Sequence, residues 1–173
     1  MSADWFIPKE IPADQILHEL SQQYHEADPS AIEAALTLLK VAAELHGTLG
    51  QHFGRYNLSH GRFVVLIMLH TTPGGEMCCS DIADSVGVSR ATMTGLLDGL
   101  ERDELIRRVD HREDRRRITI TLTANGRRLL DQILPDHFRR VAGLMSNLSA
   151  NDRKKLLELL GKVRAGIAAL VKP

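Results

Sequence analysis

The chain has 173 residues, 43% of them apolar and 25% charged, which suits one globular domain with appendages and excludes a disordered or collagen-like chain. Basic and acidic residues each number 22, no apolar run approaches the ~18 residues of a membrane span, and the two cysteines, Cys78 and Cys79, are adjacent, which excludes a disulfide framework. The opening MSADWFIPKE lacks the basic start and apolar stretch of a secretory signal, so the sequence reads as a soluble, cytoplasmic protein without a membrane partner.

Residues 1–29 read as an arm, irregular around Pro8 and Pro12, then a short helix over 14–25 with Ile16, Leu17 and Leu20 at helical spacing. Ser30, with Glu33 three positions on, resembles a capping box and opens a long helix reaching about Phe53, on the beat of Ala34, Leu38, Val41, Ala42, Leu45 and Leu49. Ser59 caps a helix that is nearly all apolar from Phe63 to Leu69 and therefore buried on most of its surface, and TTPGG ends it. Residues 79–86 predict a two-turn helix with Ile82, Ala83 and Val86 inward. Gly87–Val88 is a tight turn, and Ser89 caps a helix over 90–102 with Met93, Leu96, Leu97 and Leu100 in one stripe. That succession is a helix-turn-helix unit.

Residues 105–109 and 117–122 predict a two-stranded hairpin, with Ile118, Ile120 and Leu122 on one face, Thr119 and Thr121 on the other, and a polar tip over 110–116. A helix-turn-helix followed by a hairpin is a winged helix. Thr123 caps a further helix that Pro135 kinks or ends. Ser149 with Asp152 opens a last helix bearing Leu156, Leu157, Leu160, Val163 and Ile167.

Zero net charge hides opposed regions: residues 1–60 carry −5, residues 61–100 −2, residues 101–130 +3 and residues 131–173 +4. Residues 107–117 hold six arginines and no lysine, and arginine forks suit phosphate and narrow-groove geometry. A helix-turn-helix pattern alone is as readily a hairpin in an ordinary core. Joined to an arginine-rich tip and a helix opening with Ser, Arg and Thr, it points to duplex DNA, the helix in the major groove and the wing along the backbone or in the minor groove.

Around the wing stand Asp110, then Asp114–Arg115–Arg116, then Ile118, Ile120, Leu122–Thr123 and Gly126. In that order and spacing, and in SRATMTGLLDGLERDELI before it, the chain resembles the MarR (multiple antibiotic resistance regulator) family of winged-helix transcription regulators over about residues 30–171. Three departures stand out: Glu104 where the family commonly has Gly, Gly95 and Gly99 where relatives often carry Arg, and Cys78 where Thr or Ser is common. Close packing or close approach to DNA would account for the two glycines.

The resemblance implies a mainly α fold: a winged helix-turn-helix with a two-stranded β wing, its N- and C-terminal helices forming a dimerisation domain. The DNA-binding lobe would span about 58–123 and the dimerisation helices about 30–55 and 123–171. Ser89, Arg90, Thr92 and Thr94 become the major-groove candidates, Ser89 being equally a helix cap and Arg90 the base reader. Arg115 and Arg116 are the wing contacts, with Arg112 behind them and Asp110 and Asp114 structuring the loop. Which arginine enters the minor groove stays open, and Arg107, Arg108 and Arg117 read either as phosphate contacts or as a solvated face.

Family behaviour further implies a homodimer on a pseudo-palindromic operator, its recognition helices about 34 Å apart. Leu144, Leu148, Leu156, Leu160, Val163, Ile167 and Leu170 exceed what one winged helix covers, unless a compact monomer buries them itself. A small aromatic or phenolic effector would bind among His46, His52, Phe53, Tyr56 and Arg62, each also readable as structural, and release a repressor from its operator.

Cys79 falls in the first turn of a helix, a reactive setting for a thiol, though the favoured reading is that it fills a small apolar site and Cys78 is a poor cap. Eight histidines and two cysteines raise metal sensing, but their scatter has no CxxC or HxxxH spacing, so no metal or cofactor is expected. No phosphate loop, G-x-S-x-G or HExxH is present, so an enzyme is not expected. The competing readings are a redox- or metal-responsive regulator of the same fold using Cys78 and Cys79, and a helical protein–protein adaptor without affinity for DNA.

Overall fold

The computed structural model describes residues 14–110 and 118–170. Trp5 and Phe6 of the arm, and Arg112, Glu113, Asp114, Arg115, Arg116 and Arg117 of the wing tip, lie outside the described residues. The elements run α1 (Asp14–Gln23), α2 (Pro29–Gly54), α3 (His60–Thr71), β1 (Glu76–Cys78), α4 (Cys79–Val86), α5 (Arg90–Arg102), β2 (Ile106–Asp110), β3 (Ile118–Leu122), α6 (Ala124–Leu144) and α7 (Ala150–Gly166), closed by a 3-10 turn, Ile167–Leu170. Two compact units result, residues 1–127 and 128–173, the division falling inside α6.

Local chemistry sets the helix starts. Asp28, not Ser30, caps α2: its carboxylate accepts from the Ser30 amide at 2.9 Å and the Ala31 amide at 3.2 Å. Pro29 then occupies the first turn, where no amide hydrogen is required. A hydrogen bond from the Ser30 hydroxyl, with these amides, holds the Asp28 carboxyl below its usual range. Ser59 caps α3 by accepting from the Arg62 amide. Along α3, Phe63, Val65, Leu66 and Leu69 are buried, and the Phe63 ring stacks on Phe53 of α2 with centroids 4.1 Å apart.

The helix-turn-helix is α4–α5. Gly87 sits at φ 74, a left-handed conformation, and its amide and that of Val88 both donate to the Ala83 carbonyl. Ile82 and Ala83 of α4 and Met93, Leu97 and Leu100 of α5 are buried.

The sheet is antiparallel in the order β1-β3-β2, so the wing hairpin gains a third strand. With only three residues, β1 is too short to show an alternation in the sequence. Its Cys78 pairs with Thr119, where the chain turns into α4. Thr119 is 4% exposed, while Ile118, at the open end of β3, is 40% exposed.

A small knot of contacts joins the end of α5 to the start of α6. Glu104 has φ 57, a left-handed backbone that a glycine would adopt without strain. Its carbonyl accepts from the Thr123 hydroxyl at 2.6 Å, and the same hydroxyl accepts from the Gly126 amide, so Thr123 caps α6. A Cβ on Gly126 would stand 2.2 Å from the Leu105 carbonyl oxygen, so no larger residue fits.

In the second unit, α6 continues through Pro135 with Leu130 and Ile133 buried. Ser149 and Asp152 form the reciprocal capping box of α7. Leu144, Leu157, Leu160, Val163, Ile167 and Leu170 are exposed, and no residue of α7 is buried within the described chain.

Candidate nucleic-acid interface

The site is built on α5. Ser89 caps it, accepting from the Thr92 amide at 3.1 Å with its hydroxyl 2.8 Å from that of Thr92. Thr94 bonds back to the Arg90 carbonyl at 2.9 Å. Arg90, Thr92 and Thr94 are all exposed at the N-terminal end, so three of the sequence candidates share one solvent-facing turn. Gly95 lies on the outer surface, and a Cβ added there would meet nothing within 4 Å. Packing within the chain therefore does not call for glycine at this position.

The other end of α5 is gripped by two arginines that sequence reasoning had placed elsewhere. Arg62 of α3 donates to the Gly99 carbonyl at 3.1 Å and pairs with Asp103 just past the helix end. The hydrogen bond from Arg62 holds the Asp103 carboxyl below the usual carboxylate range. Arg108 of β2 pairs with Asp98 at 2.6 Å and with Glu101, and its amide donates to Glu101 at 3.1 Å. Burial opposes the charge on Arg108, but Asp98 and Glu101 outweigh that and raise its pKa. Arg107 is exposed and donates to the Thr121 hydroxyl at 3.1 Å. Asp110 ends β2, its backbone paired with Ile118.

At the junction of α2 and α3 the rings of His46, His52, Phe53 and Tyr56 connect, His46 by way of His60, while Phe63 stacks on Phe53; neither His60 nor Phe63 was among the effector candidates. The His60 ring lies 5.7 Å from both His46 and Phe53, stacked on the latter, and His52 lies 4.8 Å from Phe53 and 5.9 Å from Tyr56. His52 and Phe53 are buried, whereas His46 is exposed and Tyr56 half-buried. The Nδ1 atom of His52 lies 2.8 Å from an Arg55 guanidinium nitrogen. Arg62 is turned to α5. The sequence carries no sign of the direction of Arg62, whose partners lie 37 and 41 residues away.

Cys78 and Cys79 are half-buried and form no disulfide, and Cys78 precedes α4 without a side-chain cap bond. Among the described residues no group of three or more His, Cys, Asp and Glu side chains could hold a metal, and no helix is long and apolar enough to cross a membrane.

Residues 58–118 match the sequence profile of the MarR family. The chain is similar to the HTH-type transcriptional repressor YetL of Bacillus subtilis (strain 168), at 32% identity over 153 residues covering 88% of this chain and 92% of YetL. Among solved structures it is similar to AbsC, a MarR family transcriptional regulator from Streptomyces coelicolor, with a TM-score of 0.72 at 23% identity over 79% of this chain and 93% of AbsC. It is also similar to Bordetella bronchiseptica BpsR, whose DNA binding is regulated by 6-hydroxynicotinic acid, with a TM-score of 0.63 at 26% identity over 74% of this chain and 96% of BpsR.

Proposed function

The chain belongs to the MarR family of DNA-binding transcriptional regulators, which are not enzymes, and on that premise we propose that it is a homodimeric repressor released from its operator by a small aromatic or phenolic effector. The observation that carries this reading is the exposed N-terminal turn of α5, where a capped helix holds Arg90, Thr92 and Thr94 outward. Arg90 reads a base edge, Thr92 and Thr94 flank it, and Ser89 both caps the helix and reaches a phosphate. Arg112, Arg115 and Arg116 supply the wing contacts, with Asp110 and Asp114 shaping the loop.

Residues 58–123 form the DNA-binding lobe. Residues 30–55 and 123–171 form the dimerisation helices, a role supported by the exposed Leu144, Leu157, Leu160, Val163, Ile167 and Leu170. Burying each such side chain is worth about 1.5–3 kcal/mol, which a second copy supplies. Two-fold symmetry then requires a pseudo-palindromic operator. The repressor role is supported by the name of YetL, and the effector class by the acid that regulates BpsR. The ring cluster of His46, His52, Phe53 and Tyr56 beside α3 is chemically suited to such a molecule, with Arg62 nearby in sequence as its anionic-group partner or as a structural tie.

The test is to enrich duplexes from a random pool with the full chain and to measure binding of the enriched duplex at two salt concentrations. A DNA-binding repressor enriches a two-fold-related sequence and loses affinity steeply with salt. An adaptor enriches none.

A further inference from the structure

We infer that Arg62 is a positioning residue for operator recognition: it sets the seat of α5 by gripping its C-terminal end from α3, with Arg108 as the opposing jaw from β2, and neither reaches DNA. The inference rests on the DNA-binding role of α5 and concerns side chains that no DNA contact requires.

Apolar contact alone leaves α5 underdetermined. Met93, Leu97 and Leu100 fix which face is buried, but burial is non-directional and tolerates small rolls and axial slips. Charge-assisted hydrogen bonds have fixed directions, and the arginine fork is planar and rigid. Arg62 engages a backbone carbonyl, Gly99, and a carboxylate, Asp103, at one end of the helix. Arg108 engages Asp98 and Glu101, one turn back, from the strand that leads to the wing. The helix axis is thereby tied to α3 and to the wing strands at four positions within its last turns. A bidentate Arg90–base contact needs the helix held to within about 0.5 Å and 10–20°, which such ties provide.

Two features fit this role. Asp98 and Glu101 on α5, and Asp103 just past its end, are carboxylates on or beside a helix that approaches a polyanion, an arrangement that opposes binding unless each is neutralised internally, as all three are. The side chain of Arg62 is 16% exposed, too enclosed to reach a phosphate while it holds Asp103. A Cβ at Gly99 would stand 3.9 Å from the Arg62 guanidinium, in ordinary van der Waals contact, so the grip passes directly over this residue.

The sign of the charge effect makes the inference testable. The full chain and its Asp103→Asn, Arg62→Ala and Arg62→Lys variants are titrated with the duplex enriched by the wild-type protein and with a random-sequence duplex, after circular dichroism has verified folding. Removing an anion from a protein that binds a polyanion should, by charge alone, tighten binding. Positioning predicts that Asp103→Asn weakens the enriched duplex about tenfold, leaves the random duplex unchanged or tighter, and keeps the salt slope of wild type. Arg62→Ala shows the same pattern, Arg62→Lys recovers part of the preference, and Arg62→Ala with Asp103→Asn together lose no more than either alone. Should Arg62→Ala fail to fold, Asp103→Asn and Arg62→Lys carry the test. An Asp103→Asn protein that binds the enriched duplex as well as wild type overturns the inference, as does an Arg62→Ala salt slope shallower by about one phosphate contact. A wild-type protein that enriches nothing removes the DNA-binding role itself, a distinct failure.

Discussion

Helices α3 and α7 draw on the same aliphatic alphabet and meet opposite fates. In α3, Phe63, Val65, Leu66 and Leu69 are buried by the chain's own elements. In α7, Leu157, Leu159, Leu160 and Val163 stay exposed, and the following turn leaves Leu170 87% exposed. Apolar content therefore does not say where a helix finds its partner. The first finds its partners within the chain, and the second keeps its apolar side chains at the surface.

The contrast is sharpest under mutation. Leu66→Ala should lower the unfolding free energy by about 2–5 kcal/mol, a cavity cost independent of protein concentration in thermal melts. Leu160→Ala should act through association, so its effect on the melting temperature should be absent in dilute protein and rise to a plateau as the protein is concentrated. Placing charge on the exposed stripe, as Leu160→Glu with Ile167→Glu, should yield a monomer in sedimentation velocity while the α3 core still melts cooperatively. A dimer that survives both charges would separate α7 from assembly.

Smaller effects probe the joints beside the core. Glu104→Gly should raise stability by about 0.5–1 kcal/mol, because the left-handed backbone at φ 57 is then unstrained. Gly95→Ala should add a similar ~0.5–1 kcal/mol in an open helix position, and calorimetry beside DNA titration shows whether the glycine serves the duplex instead. If Gly95→Ala gains stability and keeps full affinity, close approach to DNA is not why glycine stands there.

The smallest effect is on pH. The Asp103 carboxyl is held below its unfolded value by Arg62, so its contribution is present above the unfolded carboxylate range and is lost as pH falls through the lowered folded pKa. Asp103→Asn should remove that part of the acid dependence of the melting temperature.

What the sequence made legible was local. Ser89, Gly87 and the Met93–Leu97–Leu100 stripe identify the helix-turn-helix because capping, a left-handed turn and a 3.6-residue repeat all act within a few positions. Thr123 and Gly126 were recognisable by family spacing, and the structure supplies their cause in the Glu104 and Leu105 carbonyls. What escaped was non-local or too short. Arg62 finds partners 37 and 41 residues on, Arg108 turns back to the helix before it, and β1 declares itself only by pairing with β3. At α2, the acid two residues ahead of the expected serine offered a carboxylate to the same orphan amides and took the cap.

The most direct measurement compares wild-type and Arg90→Ala protein on the duplex that the wild type enriches and on random-sequence duplex. Loss of a bidentate base contact predicts about 1–3 kcal/mol less discrimination, roughly a five- to 150-fold drop in the ratio of the two affinities. An unchanged ratio, with the fold intact, would contradict the claim that the exposed N-terminal turn of α5 reads DNA.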